Sequence, residues 1–186
     1  MIVGVGGQGT LLASKILGNA MMKNGLDVKV SEVHGMSQRG GDVQSNLRLS
    51  TETIYSDLIR QGSADLIISM EPMEALRYCQ FLNAEGWVVT SSNPFLNIAN
   101  YPEEEALMTE LKGLPHVEAV SIEDLAKQNG IPKSANIVLL GMAARYIGIL
   151  TPEQLRESIT HVFAPKGDAV VEMNLKAFEL GMEAVK

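Results

Sequence analysis

The stretch MIVGVGGQGTLLASKILGNA, residues 1–20, constrains the fold more than any other part of the chain, because a glycine-rich turn joins two different periodicities. Residues 1–5 form an apolar run that predicts a buried strand, and the apolar side chains of residues 11–21 recur at helical spacing. Strands usually have about five residues, and since so few precede Gly4, we expect further residues before Met1. The sequence predicts a strand–turn–helix unit typical of an α/β fold.

Four glycines and a glutamine dominate this turn: Gly4, Gly6, Gly7, Gln8 and Gly9. They fit the pattern Gly-x-Gly-x-x-Gly, in which glycines permit a tight turn and the N–H groups of the following helix can bind an anion. Three interpretations stay open. The turn binds a phosphate-like ligand or a loop of another protein, it only packs the helix against the sheet, or it binds NAD with Glu32 on the ribose.

Strand and helix patterns alternate through the rest of the chain, with no repeat, low-complexity segment or linker. The predicted strands are residues 27–33, 43–50, 64–70, 87–92 and 117–120. The predicted helices are residues 72–86, 121–130 with Ser121 as the cap, 134–148 and 168–184, with a capping box at Thr151–Gln154. This order predicts an α/β fold, a Rossmann-like three-layer sandwich around a mostly parallel sheet, as a single domain over residues 1–186.

Charge and hydropathy exclude two classes of partner. The net charge of −7 argues against nucleic-acid binding, which needs a surplus of lysine and arginine. The longest apolar run, residues 137–150, is too short to span a bilayer and contains Arg145. The chain also lacks the pattern of a signal peptide. We therefore expect a cytoplasmic protein without membrane contact.

The scarcity of cysteine and histidine limits the cofactors that this chain can hold. Cys79 is the only cysteine, so a disulfide framework is impossible. A [4Fe–4S] cluster needs about four cysteine ligands, so this chain alone cannot hold one. The three histidines, at positions 34, 116 and 161, lack the spacing of metal ligands, and we predict no metal site.

A second glycine-rich stretch, SEVHGMSQRGGDVQSN, covers residues 31–46. Its candidate binding residues are His34, Gln38, Arg39, Gly40 and Gly41. An arginine beside bare glycines suits bidentate capture of a phosphate or carboxylate, because a ligand or a second protein can approach the backbone closely. The alternative is a solvated turn before a strand, in which Arg39 pairs with Asp42.

Two asparagines lie on apolar helical stripes and complete the predicted binding set. Asn136 shares a face with Leu140, and Asn174 shares one with Phe178. Since an unsatisfied buried amide costs about 1–3 kcal/mol, each either bonds a loop carbonyl or contacts a ligand, and the first interpretation is favoured. Residues 90–93 follow the end of a strand and are a lower-ranked candidate for the lip, or border, of a binding site. No residue is predicted to be directly catalytic.

The stretches GVGGQGTLLASKILGNA and SEVHGMSQRGGDVQSNLRLS resemble the gamma-type domain of 2-oxoacid:ferredoxin oxidoreductases, and the resemblance extends to SANIVLLGMAARYIG and KGDAVVEMNLKAFELG. The form HGMSQRGG is most similar to the small, or beta, subunit of the indolepyruvate branch. The resemblance implies a subunit of an enzyme of anaerobic metabolism that decarboxylates aryl-pyruvates oxidatively to acyl-CoA and passes electrons to ferredoxin.

The same resemblance implies how the work is divided within a hetero-oligomer. Thiamine diphosphate, Mg²⁺ and the [4Fe–4S] clusters are expected on a larger alpha subunit, because this chain has neither the thiamine motif nor the cysteines. Ferredoxin is then an indirect partner. This chain is expected to bind no cofactor alone, with coenzyme A as the one that it could help to hold. A ligand-free scaffold and a stand-alone nucleotide- or NAD-binding protein are the competing interpretations.

Overall fold

The structure is a computed structural model and describes residues 1–35 and 40–185. Six strands form one sheet: β1 (Ile2–Val5), β2 (Asp27–His34), β3 (Asp42–Ser50), β4 (Ala64–Ser69), β5 (Leu82–Ser91) and β6 (Val117–Val120). Seven α-helices surround it: α1 (Thr10–Lys23), α2 (Pro72–Tyr78), α3 (Glu104–Lys112), α4 (Ile122–Gln128), α5 (Ala135–Ile147), α6 (Pro152–Phe163) and α7 (Asp168–Ala184). The elements follow the predicted order, except that α3 was not predicted.

The sheet has the strand order β2-β3-β1-β4-β5-β6 and is mixed. β1, β4, β5 and β6 pair in parallel, whereas β3 runs antiparallel to both β1 and β2. Five strands therefore end at the same edge of the sheet, which we call the carboxyl edge; the other is the amino edge. The glycine-rich turn after β1 lies at the carboxyl edge, where sites in open α/β sheets usually form.

Helices cover both faces of the sheet, which gives three layers. On one face α1 and α5 pack against the strands, and α4, α6 and α7 pack on these two helices. On the other face α2 and α3 enclose a smaller apolar cluster that includes Val3, Ile67, Tyr78 and Leu111. The predicted three-layer α/β fold with a mostly parallel sheet is confirmed.

The helix predicted for residues 72–86 is wrong beyond its first half. α2 ends at Tyr78, a single 3₁₀ turn follows, and β5 begins at Leu82. The pairing of Leu82 with Ala64 includes a bulge, and Gly86 lies so close that a Cβ would stand 2.8 Å from the Ala64 carbonyl oxygen. Strand pairing overrides helical periodicity here because it satisfies the backbone of an otherwise uncovered part of β4.

Two caps were predicted, and they have different outcomes. The capping box of Thr151 and Gln154 at the start of α6 is confirmed, with both reciprocal hydrogen bonds present. Ser121 does precede α4, but its hydroxyl lies 2.9 Å from the Ser92 hydroxyl instead of capping the helix.

Within residues 1–35 and 40–185, none of the helices combines the length and apolar composition that crossing a bilayer requires.

Candidate functional site at the carboxyl edge

The side chain of Gln8 holds the first glycine-rich loop in shape. Its Oε1 accepts a hydrogen bond from the Val5 backbone N–H at 2.8 Å, and its Nε2 donates to the Met70 carbonyl at 3.1 Å. The Gln8 backbone N–H also donates to the Val5 carbonyl. The loop is thus fixed to the ends of both β1 and β4. Gln8 consequently has a structural task that the glycine pattern alone did not indicate.

The loop needs glycine for two different reasons. Gly7 and Gly9 have φ angles of 105° and 91°, which strongly favour glycine. A Cβ on Gly7 would contact nothing within 4 Å, whereas a Cβ on Gly9 would stand 3.1 Å from Cγ of Asn136. Asn136 also directs its Nδ2 toward the Gly9 carbonyl, 3.5 Å away. The structure therefore brings Asn136, from the start of α5, to the glycine loop.

Thr10 is the first residue of α1, and its Oγ1 would stand 3.1 Å from a Cβ on Gly4 at the start of the loop. Its side chain is 3% exposed, and its buried Oγ1 has no hydrogen-bond partner among the described residues. The first N–H groups of an α-helix have no partner within the helix, and they carry the positive end of the helix dipole. Free N–H groups, a free hydroxyl and bare glycines together suit an anion.

The second glycine-rich loop meets the first one directly. The Gly6 N–H donates to the Gly41 carbonyl at 2.8 Å, and the Gly40 N–H donates to the Gly6 carbonyl at 3.4 Å. Asn97 holds the second loop from the other side, since its Nδ2 donates to the Gly40 carbonyl at 2.7 Å. Gln38 and Arg39 lie outside the described residues. The position of Gly40 nevertheless puts the end of the HGMSQRGG stretch beside the turn after β1.

Not every residue of the predicted set joins this group. His34 lies at the exposed end of β2, with Nδ1 3.2 Å from the Gly35 carbonyl. Asn174 is buried in α7, and its Nδ2 donates to the Val170 carbonyl one turn earlier in the same helix. Of the two predicted asparagines, Asn136 therefore contacts the glycine-rich loop, whereas Asn174 bonds within its own helix.

The lip predicted at residues 90–93 has structural partners. The Ser91 hydroxyl donates to Glu123 at 2.7 Å, and the Asn93 Nδ2 donates to Asp124 at 3.0 Å. Asn93 Oδ1 in turn accepts the Glu123 backbone N–H. These bonds join the end of β5 to the first turn of α4. The segment forms a wall of the carboxyl edge, and its polar groups are already engaged.

A buried acidic group beneath the two loops escaped prediction. Glu71 is fully buried; its Oε2 accepts the Glu74 N–H at the start of α2, and its Oε1 accepts the Phe95 N–H at 3.3 Å and the Tyr101 hydroxyl. Burial and the bond to Glu71 raise the pKa of Tyr101 far above its usual value. Pro72 is typical of the first position of a helix, but glutamate is not among the usual cap residues, so the sequence carried only a weak signal for Glu71.

Glu74 and Asp42 extend this acidic group toward the second loop. Burial raises the pKa of Glu74 to about 7, against the lowering effect of Arg77, whose Nε lies 3.1 Å from its carboxylate. Asp42, next to Gly41, accepts the Tyr78 hydroxyl at 2.9 Å. The two glycine-rich loops therefore form a candidate anion-binding mouth above the buried carboxylates of Glu71 and Glu74, whereas Asp42 is exposed.

The sheet order also decides how Glu32 is placed. An NAD site of the Rossmann type needs its ribose-binding acid on a strand next to the glycine loop. Here β3 lies between β1 and β2, so Glu32 is two strands away from β1, at about 10 Å across the sheet. The geometry gives no support to the NAD alternative.

Comparisons with known proteins agree with one another. The family model described as pyruvate ferredoxin/flavodoxin oxidoreductase matches residues 1–184. Indolepyruvate oxidoreductase subunit IorB from Thermococcus kodakarensis is 39% identical, with 100% of this chain and 95% of that protein covered. The crystal structure of a keto/oxoacid ferredoxin oxidoreductase gamma subunit from Geobacter sulfurreducens matches with a TM-score of 0.72 and 26% identity, over 98% of this chain and 95% of that one.

A longer chain contains the same fold. It is the 2-oxoglutarate:ferredoxin oxidoreductase from Magnetococcus marinus, whose structure has 2-oxoglutarate, coenzyme A and succinyl-CoA bound. The TM-score is 0.75 over 98% of this chain and 30% of that one. At 20% identity this likeness shows the fold alone.

Proposed function

Since the chain belongs to the pyruvate ferredoxin/flavodoxin oxidoreductase family, as its two glycine motifs predicted, we propose that it is the non-thiamine subunit of an indolepyruvate:ferredoxin oxidoreductase. The enzyme would convert an aryl-pyruvate and coenzyme A to acyl-CoA and CO₂, with two electrons passed to ferredoxin. The observation that carries this proposal is the 39% identity to an IorB subunit along the full length of the chain.

Most of the redox chemistry in this proposal takes place on another subunit. With Cys79 as the only cysteine, this chain cannot supply the ligands of a [4Fe–4S] cluster. We therefore place the clusters, thiamine diphosphate and its Mg²⁺ on a larger alpha subunit within a cytoplasmic hetero-oligomer. Thiamine diphosphate bound there would supply the electron sink that decarboxylation of a 2-oxoacid needs.

The share of this chain is to bind and orient an anion at the mouth of that active centre. The N–H groups at the start of α1, the Thr10 hydroxyl and the bare backbone of Gly7 and Gly40 suit the diphosphate of coenzyme A or the carboxylate of a 2-oxoacid. Arg39 would add a bidentate cation beside them. A cation at the mouth also attracts anionic substrates to an acidic protein.

Steady-state kinetics of the purified complex test this assignment. We expect indolepyruvate- and CoA-dependent reduction of a viologen dye, with Arg39→Ala raising the KM for one anionic substrate by about tenfold to a hundredfold, the range for a hydrogen bond to a charged group. Arg60→Ala, an exposed arginine near the amino edge, is the matched control and should leave KM unchanged. Equal kinetics in the Arg39 variant and the wild type would remove the anion-binding role.

A further inference from the structure

The loop between β5 and α3 exposes three large apolar side chains within four residues. Phe95, Leu96 and Ile98 are 41%, 75% and 41% exposed, and we call them the 95–98 patch. Single exposed apolar residues are ordinary, but a concentrated group on a soluble domain usually marks an interaction surface. None of these side chains is needed for the anion-binding mouth.

The loop that carries the patch is fixed at both ends and in the middle. The buried Glu71 accepts the Phe95 N–H and the Tyr101 hydroxyl, and Asn97 donates to the Gly40 carbonyl. The Asn97 N–H also donates to the Phe95 carbonyl at 2.7 Å, which makes a tight turn. The apolar side chains are thus held toward solvent by a braced backbone. A binding surface prepared in this way loses little entropy when it docks.

The patch adjoins the candidate site, because Asn97 contacts the second glycine-rich loop directly. Two more exposed apolar residues lie at the same carboxyl edge: Leu11 in the first turn of α1, 42% exposed, and Val33 near the end of β2, 53% exposed. A partner that covers the 95–98 patch would therefore lie beside the anion-binding mouth, where the reacting centre of a thiamine subunit must be.

The charge next to the patch indicates what kind of surface it meets. Glu103, Glu104 and Glu105 follow the loop consecutively, and all three are exposed at the start of α3. Nearby lie the carboxylates of Glu71 and Glu74, which are buried. A partner surface that fits the 95–98 patch and the glutamates beside it would be an apolar cleft bordered by lysine or arginine.

We propose that Phe95, Leu96 and Ile98 dock into an apolar, basic-rimmed cleft on the larger thiamine subunit, and that this contact seats the anion-binding mouth against the active centre. The proposal rests on the proposed function, since it takes the larger subunit as its partner. It adds the surface by which the two chains meet.

Binding of the separately purified subunits tests the proposal, with Leu96→Asp as the principal variant. Leu96 is 75% exposed, so the change should leave the fold intact, and circular dichroism checks this. We expect the dissociation constant to rise about tenfold or more, as for an apolar anchor at an interface centre. The matched control is Tyr55→Asp, which introduces the same charge at a side chain 96% exposed near the amino edge and should bind like the wild type.

Each other outcome has a definite meaning. If Leu96→Asp binds like the wild type, or if only Tyr55→Asp loses binding, the docking surface lies elsewhere and the proposal is overturned. If the wild-type chain itself binds no larger subunit, the proposed function fails instead. Replacing Glu103, Glu104 and Glu105 by glutamine should slow association of the two subunits at low salt. An unchanged association rate would show that the cleft on the larger subunit is not bordered by basic residues.

Discussion

Gly9 lies directly against the side-chain amide of Asn136, so that a Cβ at position 9 would overlap Nδ2 and stand 3.1 Å from Cγ. The two residues are 127 positions apart, and their contact joins the turn after β1 to the first turn of α5. Since Gly9 also precedes α1, both helices meet at the candidate site. The shape of the first glycine-rich loop therefore depends on the later half of the chain.

Gly9→Ala should destabilise the protein more than Gly7→Ala. Both residues have positive φ, so both variants gain backbone strain. Only in the Gly9 variant does the new methyl group overlap Asn136, which lowers the free energy of unfolding by about a further 1–3 kcal/mol. Urea unfolding would measure the difference. Adding Asn136→Ala should remove most of the extra loss in a double-mutant cycle; equal losses at positions 7 and 9 would show that Asn136 does not restrict the loop.

Tyr101→Phe should lower the free energy of unfolding by about 1.5–3 kcal/mol, because it removes a hydrogen bond to the buried carboxylate of Glu71. Hydrogen exchange at the Phe95 amide, which the same carboxylate accepts, should also speed up. Tyr55→Phe is the matched control, since that tyrosine is 96% exposed and should tolerate the change. If Tyr101→Phe were as stable as Tyr55→Phe, the hydrogen bond from Tyr101 to Glu71 would contribute nothing to stability.

Glu74 should make stability depend on pH. Its pKa rises from the ordinary value of 4.5 to about 7 in the folded protein, mainly through burial, with Glu71 and Asp42 adding repulsion against Arg77. Because the folded state favours the protonated form, its contribution is complete below about pH 4.5 and is lost as pH rises to about 7.

Glu74→Gln retains the neutral shape, so its stability relative to the wild type should increase between pH 4.5 and 8. Urea titrations at several pH values measure this difference. Glu110→Gln, an exposed change on α3, controls for the loss of one negative charge. A constant difference across the range would show that Glu74 ionises freely in the fold.

Gly181→Ala should strongly destabilise the contact of α5 with α7. The two helices approach so closely that a Cβ on Gly181 would stand 2.8 Å from the Val138 carbonyl carbon and 3.0 Å from Cα of Gly141. We expect a loss of about 1–3 kcal/mol or more. Gly18→Ala, also within a helix, has only a methyl of Val30 at 3.9 Å and should gain about 0.5–1 kcal/mol. Thermal unfolding of both variants compares them; a neutral Gly181 variant would contradict the close crossing.

Local patterns predicted the strands, most helices and the first glycine-rich loop, because each follows from the spacing of apolar residues and glycines nearby. The end of α2 was not predictable in this way, since Leu82 leaves the helix to pair with Ala64 across the sheet. The antiparallel insertion of β3 beside β1 was equally hidden. It depends on which strands pair, and it removes Glu32 from the neighbourhood of the glycine loop.

The candidate site shows the same limit. Gly4–Gly9 and Gly40–Gly41 were predicted from their composition, and their contact through Gly6 is a tertiary fact. Glu71 was missed because the groups that it binds, Phe95 and Tyr101, lie 24 and 30 residues away. Asn97, too, was missed, since only the fold brings it to Gly40, 57 residues distant.

Anaerobic purification of the tagged chain from its native cells tests the central claim most directly. The eluate would be examined for a second polypeptide, its visible spectrum and indolepyruvate- and CoA-dependent reduction of a viologen dye. The account predicts a brown complex with a larger, cysteine-rich subunit and that activity. A colourless, solitary protein that binds NAD saturably would contradict it.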